Sequence, residues 1–114
     1  GKGTFMNCKS LKYISLPDYA EEIEARAFYG CGLKSVTIPQ SVRVIHEEAF
    51  AECPFLREVY FDDISTIEEI HANAFKGCNL QFIYAGLNSV GIVQRLSIKD
   101  FYDKYASKAE SGAF

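Results

Sequence analysis

The chain has 114 residues, 48% of them apolar, and a formal net charge of −3 at neutral pH. That length fits one domain. The charge balance lacks the basic footprint of a general nucleic-acid binder, and no apolar run approaches the roughly 18 residues of a membrane span.

Read in chain order, the sequence repeats itself. Cys8, Cys31, Cys53 and Cys78 recur at intervals of 22 to 25 residues, each preceded three positions earlier by a phenylalanine: Phe5, Phe28, Phe50 and Phe75. An apolar triplet of fixed spacing follows each cysteine: Leu11/Ile14/Leu16, Leu33/Val36/Ile38, Leu56/Val59/Phe61 and Leu80/Ile83/Ala85. A further isoleucine (Ile23, Ile45, Ile70, Ile92) closes each unit, and Ala27-Phe28, Ala49-Phe50 and Ala74-Phe75 restart it. A period of 20 to 50 residues signals a solenoid or propeller. The last three positions of the L-x-x-[IV]-x-[LIF] core that carries each triplet alternate in, out, in, which is the period of a strand. One short strand per unit buries its apolar side only by stacking on the next.

The first unit opens close to the start of the chain, after Gly1-Lys2-Gly3, and leaves Phe5, Cys8 and Leu11 on an open end. Upstream repeats, a cap or a partner are expected to cover that end, and strand addition at an exposed edge makes a homodimer there an expectation. Pro17 and Pro39 stop the strands of the first two units, because proline cannot donate to a ladder. In the third unit Asp62 and Asp63 stand where proline is expected, and the segment from Phe61 to Ile70 is two residues longer than that from Ile38 to Ile45. A bulged loop is expected there. Pairs such as Val42/Ile45 and Ile64/Ile67 are expected to add a small extra strand. Residues 97–109 read as a helix with Ser97 as N-cap and Ile98, Phe101, Tyr102 and Tyr105 on its apolar side. Residues 110–114 are expected to fray.

The pattern F-x-x-C-x(1,2)-L-x-x-[IV]-x-[LI]-P-x-x-V-x-x-I-x-x-x-A-F, carried by residues 5–92, resembles the BspA-like (Treponema pallidum-type) leucine-rich repeat family. The resemblance implies an α/β repeat fold: a right-handed leucine-rich-repeat solenoid of about four coils with a parallel β-sheet on one face and a short C-terminal helical cap. The division is then residues 1–96 for the solenoid and 97–114 for the capping helix and tail. It also implies a non-enzymatic, adhesin-like protein-binding module of a cell-surface or secreted protein. A structural spacer and a carbohydrate-binding surface are the alternatives.

Equivalent placement in the repeat puts the four cysteines in one column with parallel Cβ vectors, poor geometry for disulfides. They are read as buried free thiols behaving as small hydrophobes. His46 and His71 share a repeat position and are expected to be neighbours. A structural zinc site needs about four ligands, so they read as two solvated histidines, and neither metal nor cofactor is expected. The acidic pairs Glu21-Glu22, Glu47-Glu48 and Glu68-Glu69 recur with the units and read as a solvated outer face. No nucleophile motif or phosphate loop is present. The outward positions of the strands carry the functional expectation. Lys12, Lys34 and Arg57 form one column; Tyr13, Ser35, Glu58 and Phe82 the next; Ser15, Thr37, Tyr60 and Tyr84 a third. Lys12, Tyr13, Lys34, Arg57, Glu58, Tyr60, Phe82 and Tyr84 are the candidate contacts for a protein partner, since aromatic residues and arginine are enriched at interface hot spots.

Overall fold

The computed structural model describes residues 5–87, 91 and 93–114. Its framework is two sheets. Four strands, β2 (Ser35–Ile38), β4 (Glu58–Phe61), β6 (Phe82–Leu87) and β7 (Val93–Ser97), form one sheet in the order β2-β4-β6-β7. Three two-residue strands, β1 (Glu22–Ile23), β3 (Val44–Ile45) and β5 (Glu69–Ile70), form the other in the order β1-β3-β5. The pairs β2·β4 and β4·β6 are parallel, with Val36, Val59 and Ile83 in register. β1·β3 and β3·β5 are parallel too. This follows from the repeat: units of 22 to 25 residues return each strand beside its predecessor, the extra residues being taken up outside the strands, and the inward alternation locks the register.

The core lies between the sheets. Leu33, Ile38, Leu56, Val59 and Ile83 are fully buried, and Val36 is 2% exposed. The phenylalanines before the cysteines form a continuous stack. Phe5, Phe28, Phe50 and Phe75 lie 5.2–5.4 Å apart, centroid to centroid, with planes within 6° of parallel. Backbone bonds enforce this spacing: Phe5, Phe28 and Phe50 donate N–H to the carbonyls of Ala27, Ala49 and Ala74 at 2.8–2.9 Å. Phe28, Phe50 and Phe75 each have two left-handed residues around them, and Phe5 and Phe114 one each among the described residues. Arg26, Glu48, Asn73 and Gly112 lie two positions before one, and Asn7, Gly30, Glu52 and Gly77 two positions after one, all with φ between 56° and 82°.

Several expectations are corrected. Residues 11–16 form no strand; that segment touches the sheet through Lys34 N–H to the Lys12 carbonyl at 3.0 Å and does not carry the ladder further. The sheet is parallel only through β6, because β7 runs antiparallel to it, pairing Phe82 with Ser97 and Tyr84 with Arg95. The small sheet uses Val44–Ile45 and Glu69–Ile70, with Val42 and Ile67 buried beside it. Ile64 instead opens a 3₁₀ turn, Ile64–Thr66. Asp63 caps that turn, accepting from the Ser65 N–H at 3.0 Å and the Ser65 hydroxyl at 2.6 Å, so the extra residues of the third unit make an ordered turn. Gly86 follows Ala85 as Pro17 follows Leu16 and Pro39 follows Ile38; its φ is +84° and a Cβ there would sit 2.9 Å from the Asp62 carbonyl oxygen, so glycine suits the position.

The helix is shorter than its periodicity suggests, α1 spanning Ile98–Lys104. Ser97 caps it by accepting from the Asp100 N–H at 3.2 Å, and Phe101 is fully buried. The helix stops because the following chain is recruited as a strand-like rung. Ile70 donates to the Lys108 carbonyl at 2.7 Å, Glu110 donates to the Ile70 carbonyl at 2.8 Å, and Ala109 bridges Ile70 in parallel. Ile92 lies outside the described residues, and Ala109 takes the place beside Ile70. The end of the chain, expected to fray, is held, with Ala113 buried and Phe114 partly buried. Phe75 donates to the Ala113 carbonyl at 2.8 Å, and Phe114 stacks on Phe75 at 5.3 Å and meets Phe101 edge-on at 5.5 Å. Ala113-Phe114 is thus a further copy of the restarting Ala-Phe element.

Candidate functional site

The outward columns are built by backbone bonds that link one repeat to the next. The Lys12 carbonyl accepts from Lys34 N–H, the Lys34 carbonyl from Arg57 N–H at 3.1 Å, and the Arg57 carbonyl from Gln81 N–H at 2.7 Å. Lys12, Lys34 and Arg57 are exposed and therefore stand in one line. None of the three has an ion-pair partner among the described residues. Arg26 and Arg43, by contrast, meet Glu48 and Glu68 across neighbouring repeats at 3.0 and 3.3 Å.

The third column is pre-set. Tyr60 and Tyr84 stack with centroids 4.4 Å apart and planes 12° from parallel. Both hydroxyls donate to the same carboxylate oxygen, Glu58 Oε2, at 3.2 and 2.8 Å. Burial, followed by the Glu58 charge and hydrogen bond, pushes the Tyr60 phenol up. The Glu58 hydrogen bond is the leading cause of the rise at Tyr84. Glu58 acts in the same direction at both, since a phenolate beside a carboxylate is repelled while the phenol donates to it. Phe82 lies under the Arg95 guanidinium, 4.6 Å from ring centroid to Cζ, a cation–π contact.

The middle column contains a gap. Ser35 sits between Tyr13 and Glu58 and is small, so a groove of about 550 Å³ opens over it. Tyr13, Lys34, Phe55, Arg57 and Glu58 complete its lining, with Tyr13 65% and Phe55 60% exposed. The structure thus joins Tyr13, Lys34, Arg57 and Glu58 at one groove, and places Tyr60 and Tyr84 against Glu58. Lys12 and Phe82 lie outside that groove. Phe55 and Arg95 are additions. Phe55 follows Pro54 and precedes the core Leu56, so its apolar character reads as core; Arg95 reaches the face only because β7 doubles back.

The remaining constellations are structural in geometry. His46 and His71 stack at 5.4 Å, with His46 Nε2 2.7 Å from Glu22 and His71 bracketed by Glu69 at 3.2 Å and Glu110 at 3.0 Å. Among the described residues, no group of three or more His, Cys, Asp or Glu side chains could hold a metal ion. The four cysteines are free. Three of them form a ladder: Cys31, Cys53 and Cys78 donate Sγ–H to the carbonyls of Phe5, Phe28 and Phe50 at 2.9–3.1 Å. Burial pushes the Cys31 thiol up to about 11.

The parallel strands β2, β4 and β6, one after each of the phenylalanine-cysteine elements at Cys31, Cys53 and Cys78, are those of a leucine-rich repeat region. The chain belongs to the BspA-type leucine rich repeat family, whose six-copy region model matches residues 1–101. No curated protein and no solved structure matches the chain. Among the described residues, no helix is long and apolar enough to cross a membrane.

Proposed function

We propose that this chain is a non-enzymatic protein-binding module, adhesin-like in role and part of a cell-surface or secreted protein, that recognises its partner with the outward side of the four-stranded sheet. Residues 1–96 form the recognition solenoid and 97–114 close it. One observation carries this reading: three cations stand in a column with no ion-pair partner among the described residues, in a chain where Arg26 and Arg43 pair across repeats, beside tyrosines already fixed by Glu58. Membership of the BspA-type family supports the class of function. Fixed side chains lose little rotamer freedom on association, so more of the contact energy appears as affinity.

The test is a pull-down from extracellular-matrix and cell-surface proteins, using the native domain beside the Arg57→Ala/Tyr60→Ala/Tyr84→Ala variant. A partner held by the native domain and lost by the folded variant supports the assignment. A partner held equally by both moves the binding surface elsewhere, and no partner for either turns the reading to a spacer.

A further inference from the structure

The groove over Ser35 allows the partner's chemistry to be specified. Its floor is a serine on β2, flanked by two large exposed rings, Tyr13 and Phe55. Lys34 and Arg57 line it without ion-pair partners among the described residues, and Glu58 stands at one side with an oxygen already committed to two tyrosine hydroxyls. About 550 Å³ is more room than one side chain needs, and within the range of sites that enclose a small ligand. Tyr13 and Phe55 call for an apolar group, and Lys34 and Arg57 call for an anion beside it.

Building on the sheet-face reading, we propose that this groove binds an extended acidic peptide segment of a partner protein, in which a bulky apolar side chain is flanked by a carboxylate. The apolar side chain enters over Ser35 between the Tyr13 and Phe55 rings. The carboxylate meets Arg57, whose planar fork donates to both oxygens, with Lys34 alongside. Glu58 then faces the neutral peptide backbone, whose N–H groups it can accept. A continuous polyphosphate would instead bring charge against Glu58 in a chain of net charge −3, which favours a peptide over a nucleic acid.

The experiment uses fluorescence anisotropy with four short labelled probes: a peptide with phenylalanine flanked by aspartates, the same peptide with lysines for aspartates, one with serine for phenylalanine, and oligouridylate. The aspartate–phenylalanine peptide is expected to bind best and to weaken as salt rises, because the charges are exposed. Ser35→Trp fills the groove without changing charge, and Lys34→Glu/Arg57→Glu reverses the charge at two exposed positions. Each is expected to weaken that peptide at least ~10-fold, equivalent to about 1.4 kcal/mol, with circular dichroism unchanged. Should Ser35→Trp unfold, the charge-reversal variant carries the test alone. Equal or absent binding of all the peptides, with a pull-down partner still lost on changing Tyr60 and Tyr84, overturns the groove assignment and leaves the sheet-face reading standing. Absence of both peptide binding and a partner overturns both. Tighter binding of oligouridylate overturns the choice of a peptide.

Discussion

Phe114 offers a direct test of whether the end of the chain belongs to the core. A fraying terminus predicts that Phe114→Ala changes nothing measurable. The structure predicts otherwise, because the ring is half-buried, stacked on Phe75 and edge-on to Phe101. A fully buried phenylalanine costs about 3–5 kcal/mol when cut to alanine, including aromatic contacts of about 0.5–1.5 kcal/mol each. Phe114 keeps some exposed surface, which puts Phe114→Ala below that range, at about 2 kcal/mol. Phe50, with no exposed surface and a stacked ring on either side, sets the upper reference at the full cost. Such a loss is a large part of the ~5–15 kcal/mol available to a domain, so Phe50→Leu serves if Phe50→Ala does not fold. Urea unfolding followed by circular dichroism measures both, the chain having no tryptophan. In thermal melts the Phe114→Ala shift should be about 8 °C, taking about 4 °C per kcal/mol for a domain of this size. A Phe114→Ala midpoint within ~0.5 kcal/mol of the native protein, the range of neutral surface changes, would refute the recruitment of the terminus into the phenylalanine stack.

Three further outcomes are expected. Under native conditions a thiol reagent should modify the half-buried Cys8 and Cys78 before the buried Cys31 and Cys53, since the thiolate is the reactive form and burial lifts the Cys31 thiol to about 11; mass spectrometry of partly alkylated protein reads the order. In an alkaline absorbance titration Tyr60 and Tyr84 should ionise above the ordinary tyrosine range. Their raised pKa values contribute stability that is present below the unfolded value and lost as pH rises through the folded one, and Glu58→Gln should bring both titrations down. Asp63→Ala should cost about 0.5–2 kcal/mol, the usual price of a lost cap. Because the Ser65 hydroxyl and N–H lower the Asp63 carboxyl, its contribution is present above the unfolded value and lost as pH falls through the folded one; equal native and variant stability above the carboxylate range would contradict the cap.

The repeating unit was legible because its determinants are local and periodic. Phenylalanine, cysteine and the apolar triplet sit at fixed offsets, so parallel strands, free thiols and the Ser97 cap followed from sequence alone, although only Cys31 and Cys53 of the four thiols are buried. So did the outward columns of lysine, arginine and tyrosine, since side-chain alternation in a strand is independent of the rest of the fold. Other features depended on partners distant in sequence. The left-handed positions are filled by Arg26, Glu48, Asn73 and Gly112 in turn, a column with no shared side-chain chemistry, visible only when the backbones stack. The helix periodicity ran on past Lys104, yet the bonds from Ile70 draw residues 108–110 into a rung. The doubling back of β7 brought Arg95 to Phe82, and only the stacking of three repeats turned Ser35 from a small strand residue into the floor of a groove. A sequence period specifies what each unit contains; the pairing of one unit with the next decides which gaps and unpaired charges remain on the surface.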